Sequence, residues 1–288
     1  TAWLKVYYPL EFYVSIFNQQ PMGFYNLETL KEDAIRHGIQ VLHPHLNKSQ
    51  EKCTIENGSI RLGFLNVKSI GKEVAKRIVQ TRDISGNFKS VEEFMNKTKL
   101  LRIPLENLAD AGGFDSLRQN RRSVKWEIGL RYHTTTIQSA LPLPTSQDMI
   151  DLHPIPDMDL SIQEYEALGL NPSKHIMASV RDKLRSSITS SRQLASIDDG
   201  TEVTIAGLII RRQRPRGKTV FITLEDEYGH TSLVLWPNIY KKYQSALKDA
   251  LIIIKGELSR REGVVNIVVK SVKSIDSPLA RSASKNWH

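Results

Sequence analysis

The chain of 288 residues has a single cysteine, Cys53, no long apolar run and no methionine at its start. One thiol excludes a disulfide scaffold and any zinc site built on several cysteines of this chain, and predicts reducing, intracellular surroundings. The longest conspicuous apolar run, Leu251-Ile252-Ile253-Ile254, is far short of the roughly 20 residues that a bilayer-crossing helix needs, so no membrane partner is expected. Thr1-Ala2-Trp3 opens directly into an aromatic run without the pattern of a signal peptide, and a start without Met predicts a fragment of a longer chain. A Walker A loop, the HExxH pair and the GxSxG turn are all missing, and no Ser/His/Asp set stands out.

What the chain does have is positive charge. Lys and Arg number 40 against 31 Asp and Glu, a formal +9 with pI near 9.5. The excess is not spread evenly: residues 61–131 carry 15 basic and 8 acidic residues, and residues 203–275 carry 13 and 6. Between them, residues 132–202 are acidic, with 5 basic and 10 acidic residues. Two basic blocks predict two surfaces that meet a polyanion, the alternative being solvated basic faces without a partner.

Periodicity divides the chain in the same places. Leu10, Val14 and Phe17 share a helix face, and Asn26 stands as the N-cap of a helix that carries Leu27, Leu30, Ala34 and Ile35 and stops at Gly38. Ile39 to Leu42 reads as a strand. Val74, Ala75, Ile78 and Val79 form the buried stripe of a helix after Gly71, and Ser90 with Glu93 forms a capping box. From Glu202 the period becomes that of strands: Val203–Ile210, Thr219–Leu224, Thr231–Trp236, Ala250–Glu257 and Val264–Val272, with turns at Tyr228-Gly229 and Glu262-Gly263. A helix from Pro237 to Leu247 falls between the third and fourth strands, which is the element order of an OB-fold barrel. The expected fold is therefore α+β: a helical amino-terminal half with a tandem helix-hairpin-helix, followed by a five-stranded OB-fold β-barrel. The expected segments are a helical region at 1–60, the paired hairpins at 61–131, a Pro-containing acidic linker and helix at 132–201, the barrel at 202–276 and a tail at 277–288.

The candidate site residues follow from this layout. Val67-Lys68-Ser69-Ile70-Gly71-Lys72 has the form of a hairpin that opens a helix, so that free backbone N–H groups face a phosphate while Lys68 and Lys72 add positive potential. Many helix-hairpin-helix sequences carry Gly where Ser69 stands. Gly112-Gly113 with Arg121-Arg122 downstream forms a second candidate hairpin. In the barrel, Arg211, Arg212, Arg214, Arg216 and Lys218 crowd the stretch after the first strand, with no acid among them. An OB-fold commonly grips nucleic acid there. Phe221 and Trp236 are candidate stacking platforms with Tyr240 nearby, the alternative being core, and Arg260-Arg261 would extend the cationic groove. Asp157-Met158-Asp159 would hold two metals only if a strand aligned the carboxylates. No strand supports them, so acids at a helix N-terminus are expected. His37, His43 and His45 lack a carboxylate or cysteine to complete a ligand set, and no metal or other cofactor is expected in this chain.

Taken in order, several stretches resemble the bacterial C-family DNA polymerases, the DNA polymerase III alpha subunits. They are Asn18-Gln19-Gln20-Pro21-Met22-Gly23-Phe24-Tyr25, Ile60-Arg61-Leu62-Gly63-Phe64-Leu65, Ala111-Gly112-Gly113-Phe114-Asp115 and Val234-Leu235-Trp236-Pro237. Gln20 to Tyr25 and Arg36-His37-Gly38 are most similar to the error-prone DnaE-type branch. The resemblance implies the carboxyl-terminal part of an enzyme whose catalytic aspartates and Mg2+ belong to a palm domain before Thr1, hence a piece inactive alone. It implies duplex and single-stranded DNA as partners, synthesis in repair or damage tolerance, and a bacterial cytoplasmic, nucleoid-associated setting. It carries DNA holding onto Lys68, Ile70, Gly71 and Lys72, onto Gly112, Gly113, Arg121 and Arg122, and onto the basic stretch of the barrel. A sliding clamp or other accessory protein is a further candidate partner. Gln147 to Leu152 occupies the relevant interval but matches the clamp-binding pattern poorly. The competing expectation is a stand-alone, non-catalytic nucleic-acid-binding module.

Overall fold

The structure, a computed structural model, describes residues 2–21, 26–132, 152–181, 183–184, 186–214, 219–261 and 263–275, and the backbone of 286–287. Two compact units emerge, residues 1–22 with 30–173 and residues 23–29 with 174–288. This differs from the segments expected from sequence. The helical region before residue 60, apart from 23–29, forms one unit with the hairpins, and α8 (Asp157–Leu168), expected within the linker, belongs to it as well. Residues 174–201 join the barrel instead.

The chain begins with α1 (Ala2–Tyr7) and α2 (Pro9–Asn18) of the first unit and α3 (Leu27–Arg36), which belongs to that unit from Leu30 on. Tyr13 and Phe17 of α2 are buried, and Asn26 Oδ1 caps α3 by accepting from Thr29 N at 2.7 Å. Three short strands follow, β1 (Val41–Leu42), β2 (Thr54–Glu56) and β3 (Ser59–Arg61), in the order β1-β3-β2. Asn57 and Gly58, both at positive φ (49° and 74°), make the tight turn between β2 and β3. Next come α4 (Lys72–Ser85), α5 (Val91–Thr98), α6 (Arg102–Asp110), α7 (Arg121–Arg131) and α8. The Ser90 cap forms as expected, Ser90 Oγ accepting from Glu93 N, while the Glu93 carboxylate reaches one residue beyond the cap position and accepts from Lys89 N. Phe94 joins the hairpin elements through edge-on contacts to Phe88 (4.9 Å) and Phe114 (5.2 Å).

The second unit contains α9 (Ile176–Arg181), then the strands β4 (Glu202–Gln213), β5 (Val220–Glu225) and β6 (His230–Leu235). α10 (Pro237–Lys242), β7 (Leu251–Arg261), β8 (Val264–Ser274) and the two-residue β9 (Asn286–Trp287) complete it. The strands run β5-β6-β8-β7-β4, and β4 pairs back onto β5, which closes the five-stranded OB-type barrel. Its inside is aliphatic, with Ile222, Leu233, Leu235, Ile252, Ile254 and Ile267 essentially inaccessible. Gly207 lets β4 bend against its neighbours, because a Cβ there would lie 2.6 Å from the Glu225 carbonyl oxygen. β4 outruns the expected strand by three residues, since Arg211, Arg212 and Gln213 pair with Thr223, Ile222 and Phe221 past a bulge.

Candidate nucleic-acid interface

A single 3₁₀ turn (Phe64–Asn66) leads into the first hairpin, and α4 leaves it. Buried Val67 and Ile70 pin the hairpin from inside, so Ile70 supports the turn and offers no surface of its own. Ser69 sits in the left-handed region at φ 67°, which explains why glycine is common at this place in such hairpins. Gly71 is extended and supplies no side-chain cap, so the first N–H groups of α4 lack the partner that a capping side chain would provide. Lys68 and Lys72 are exposed beside them, and so are Lys76 and Arg77 one turn further on. Among the described residues no carboxylate pairs with any of these four cations. Lys76 was missed from sequence, although its i,i+4 spacing from Lys72 placed it on the same face.

The second hairpin is built differently and corrects the expectation. Gly112 and Gly113 are buried. A Cβ on Gly112, at φ 82°, would meet Arg121 Nη2 at 2.5 Å, and one on Gly113 would meet the Leu108 side chain at 2.6 Å. The two glycines therefore admit close packing and do not open toward an anion. Arg121 is 6% exposed. Its Nε and Nη2 donate to both oxygens of Asp115 (2.9 and 2.7 Å), and Nη1 donates to Glu164 (2.7 Å) and to the Asp110 carbonyl (2.9 Å). Glu164 lies 2.8 Å from His43 Nε2. Burial would raise the Glu164 carboxyl, but the His43 hydrogen bond and the Arg121 charge outweigh it and hold the carboxyl low. Asn120 Oδ1 accepts from Arg122 N and Ser123 N, so α7 begins with its donors occupied. Of the second set only Arg122 faces solvent.

The barrel sorts its basic stretch in the same way. Directly paired strand residues share a face, so Arg211 lies on the outer side with Thr223, whereas Arg212 lies on the side of buried Ile222. Loss of hydration lowers the Arg212 pKa. Arg214 is exposed, with its guanidinium carbon 5.7 Å from the Tyr240 ring centre. Arg216 and Lys218 lie outside the described residues, as does Gln147-Asp148-Met149-Ile150-Asp151. Phe221 is 40% exposed and Trp236 52%, in a domain whose other large aliphatics are mostly buried. Phe221 and Val234 are paired on the outer face, and Val234 is paired in turn with Val268. Arg260 is another correction: Nη2 donates to the carbonyls of Leu194, Ala195 and Ile197 (3.2, 3.1 and 3.0 Å) and its backbone N–H to Asp199, which fixes the preceding segment to the barrel. Arg261, at the hairpin tip, is exposed.

Comparison with known proteins agrees with both halves. A helix-hairpin-helix motif family matches residues 38–124, and an OB-fold nucleic acid binding domain family matches residues 203–275. Error-prone DNA polymerase from Teredinibacter turnerae is 34% identical over 272 residues, covering 90% of this chain and 26% of that protein. The error-prone DNA polymerase of Anaeromyxobacter sp. is 31% identical over 307 residues, 100% of this chain and 27% of its own length. The chain is related to the error-prone DNA polymerases. It spans about a quarter of the length of the curated relatives it matches, and the match takes in both the hairpin and the barrel domains.

Nucleotide transfer in polymerases rests on paired metal ions held by carboxylates, and the described residues do not fit such a centre. Among them no group of three or more His, Cys, Asp or Glu is arranged to hold a metal ion. Asp157 and Asp159 lie in the first turn of α8, where positions i and i+2 point about 200° apart around the axis and cannot converge on one ion. His43 and His45 are engaged separately, with Glu164 and with Asn47 N, while His37 lies against Tyr13 and the Asp33 carbonyl.

Proposed function

We propose that this chain is the DNA-holding portion of an error-prone DNA polymerase, gripping duplex backbone with the first hairpin and guiding single-stranded template over the outer face of the barrel. The observation that carries this reading is the first hairpin, where uncapped helix N–H groups meet Lys68, Lys72, Lys76 and Arg77, four exposed cations without carboxylate partners. Such contacts fix position on a duplex and carry no base information directly. Exposed Phe221 and Trp236 support the single-strand half of the reading, since every base offers a stacking face. The polymerase as a whole would act in synthesis during repair or damage tolerance, in the bacterial cytoplasm at the nucleoid. The chain by itself would hold DNA without extending a primer, and template-dependent incorporation by the purified chain would contradict that.

Titration of duplexes of several sequences across a salt series tests the hairpin. Lys68→Glu with Lys72→Glu should weaken binding about equally for all sequences and flatten the log–log salt slope by roughly one unit for each phosphate that is no longer neutralised. A folded double variant with unchanged affinity at low salt overturns the reading.

A further inference from the structure

Building on this reading of the hairpin, we propose that Asn107 is its positioning residue: from α6 it holds Ser69 in the left-handed conformation that presents the α4 N-terminus to phosphate. Ser69 at φ 67° is a conformation that residues with a side chain adopt at a cost and that glycine adopts freely. Something must hold it there. Within the turn, Ile70 N donates to Val67 O at 3.1 Å, and Lys68 N donates to the Ala167 carbonyl of α8 at 2.8 Å. The first of these bonds closes the four-residue turn in which Ser69 is the third residue, but neither contacts the Ser69 side chain. Asn107 Nδ2 does, reaching Ser69 Oγ at 3.0 Å and the Lys68 carbonyl oxygen at 3.1 Å. One amide group thus secures two consecutive residues of the turn, from a helix 38 positions away in sequence. Lys68 and Lys72 flank that turn, so its geometry sets where both ammonium groups and the free N–H groups point.

Three variants separate this role from ordinary stabilisation: Asn107→Ala, Ser69→Gly and the double variant. Asn107→Ala should weaken duplex binding about five- to tenfold, on the order of one net hydrogen bond. Ser69→Gly should bind within about twofold of the parent, because glycine needs no support at positive φ. The double variant should recover most of the affinity that Asn107→Ala loses. A residue that merely stabilised the fold would not be rescued in this way. Hydrogen exchange supplies a second readout, with the amides of residues 68–73 expected to exchange faster in Asn107→Ala and those of α7 unchanged. Unchanged affinity in Asn107→Ala, or a double variant that binds no better than it, overturns the proposal. The charge-reversed Lys68/Lys72 variant is measured alongside: if it too binds normally, the phosphate reading of the hairpin has failed, and if it alone is weakened, only the role of Asn107 has failed.

Discussion

Replacing Arg121 by alanine removes a guanidinium that is 6% exposed and joins Asp115, Glu164 and the Asp110 carbonyl. Breaking a buried ion pair from one side costs about 3–5 kcal/mol, because the remaining charge is left buried without its partner. Two features place this site near the lower end. Asp115 is 36% exposed and gains hydration when its partner leaves, and Glu164 keeps its hydrogen bond to His43. A loss of about 3 kcal/mol corresponds to a fall in melting temperature of roughly 6–12 °C for a unit of this size. Arg121→Lys should fall between, since an ammonium keeps the charge but cannot reproduce the two-pronged contact to Asp115. Arg122→Ala is the control one position on: its exposed side chain should leave stability within about 0.5 kcal/mol and lower duplex affinity. Thermal unfolding and duplex titration of the three proteins give the answer. An Arg121→Ala protein that melts with the parent yet binds DNA more weakly would refute the assignment of this arginine to the interior.

Trp236→Ala should cost about 1–3 kcal/mol of single-strand binding with little change in melting temperature, whereas Leu235→Ala, at a side chain with no exposure, should cost about 2–5 kcal/mol of stability. A large drop in melting temperature for the tryptophan variant, with unaltered affinity in its folded fraction, would make Trp236 structural. Hydrogen bonds from Arg61 and Lys48 lower the Glu56 carboxyl from its ordinary 4.5 to about 2, so its stabilisation is complete above about pH 4.5 and fades as pH falls toward 2. Glu56→Gln should therefore destabilise at neutral pH by about 1 kcal/mol, given partial screening, and converge on the parent at the acid end. Parallel pH–stability curves for the two proteins would show that Glu56 does not titrate in that window.

Local chemistry made much of the fold legible. Asn26 and Ser90 announced their helices because capping is decided within four residues, and the barrel announced itself because strands buried on one face alternate at period two. The β2–β3 hairpin was not read from the sequence: Asn57-Gly58 is a hairpin-turn signal, but strands of three residues carry too little alternation to stand out without the partner that β1 provides. The end of β4 was not legible. Arg211-Arg212-Gln213 has no strand pattern of its own and is strand because Phe221, Ile222 and Thr223 lie opposite.

The fate of each cation was the least legible, since it depends on partners remote in sequence. Arg121 finds Glu164 43 residues later, and Arg260 finds the Leu194 carbonyl 66 residues earlier. Arg121 and Arg122 are neighbours in the chain, but a helix turns about 100° between them, enough to send one inward and the other to solvent. The net charge of a segment is therefore a poor guide to the field it presents. Where a buried arginine takes half-buried Asp115 and buried Glu164 as partners, the charges of those acids are neutralised along with its own, while Lys68, Lys72, Lys76 and Arg77 have no carboxylate partner among the described residues. Counterion release depends on the cations that reach phosphate. The salt slope of duplex binding should accordingly reflect the few unpaired cations around the first hairpin together with Arg122, and stay well below what two basic blocks of sequence would predict.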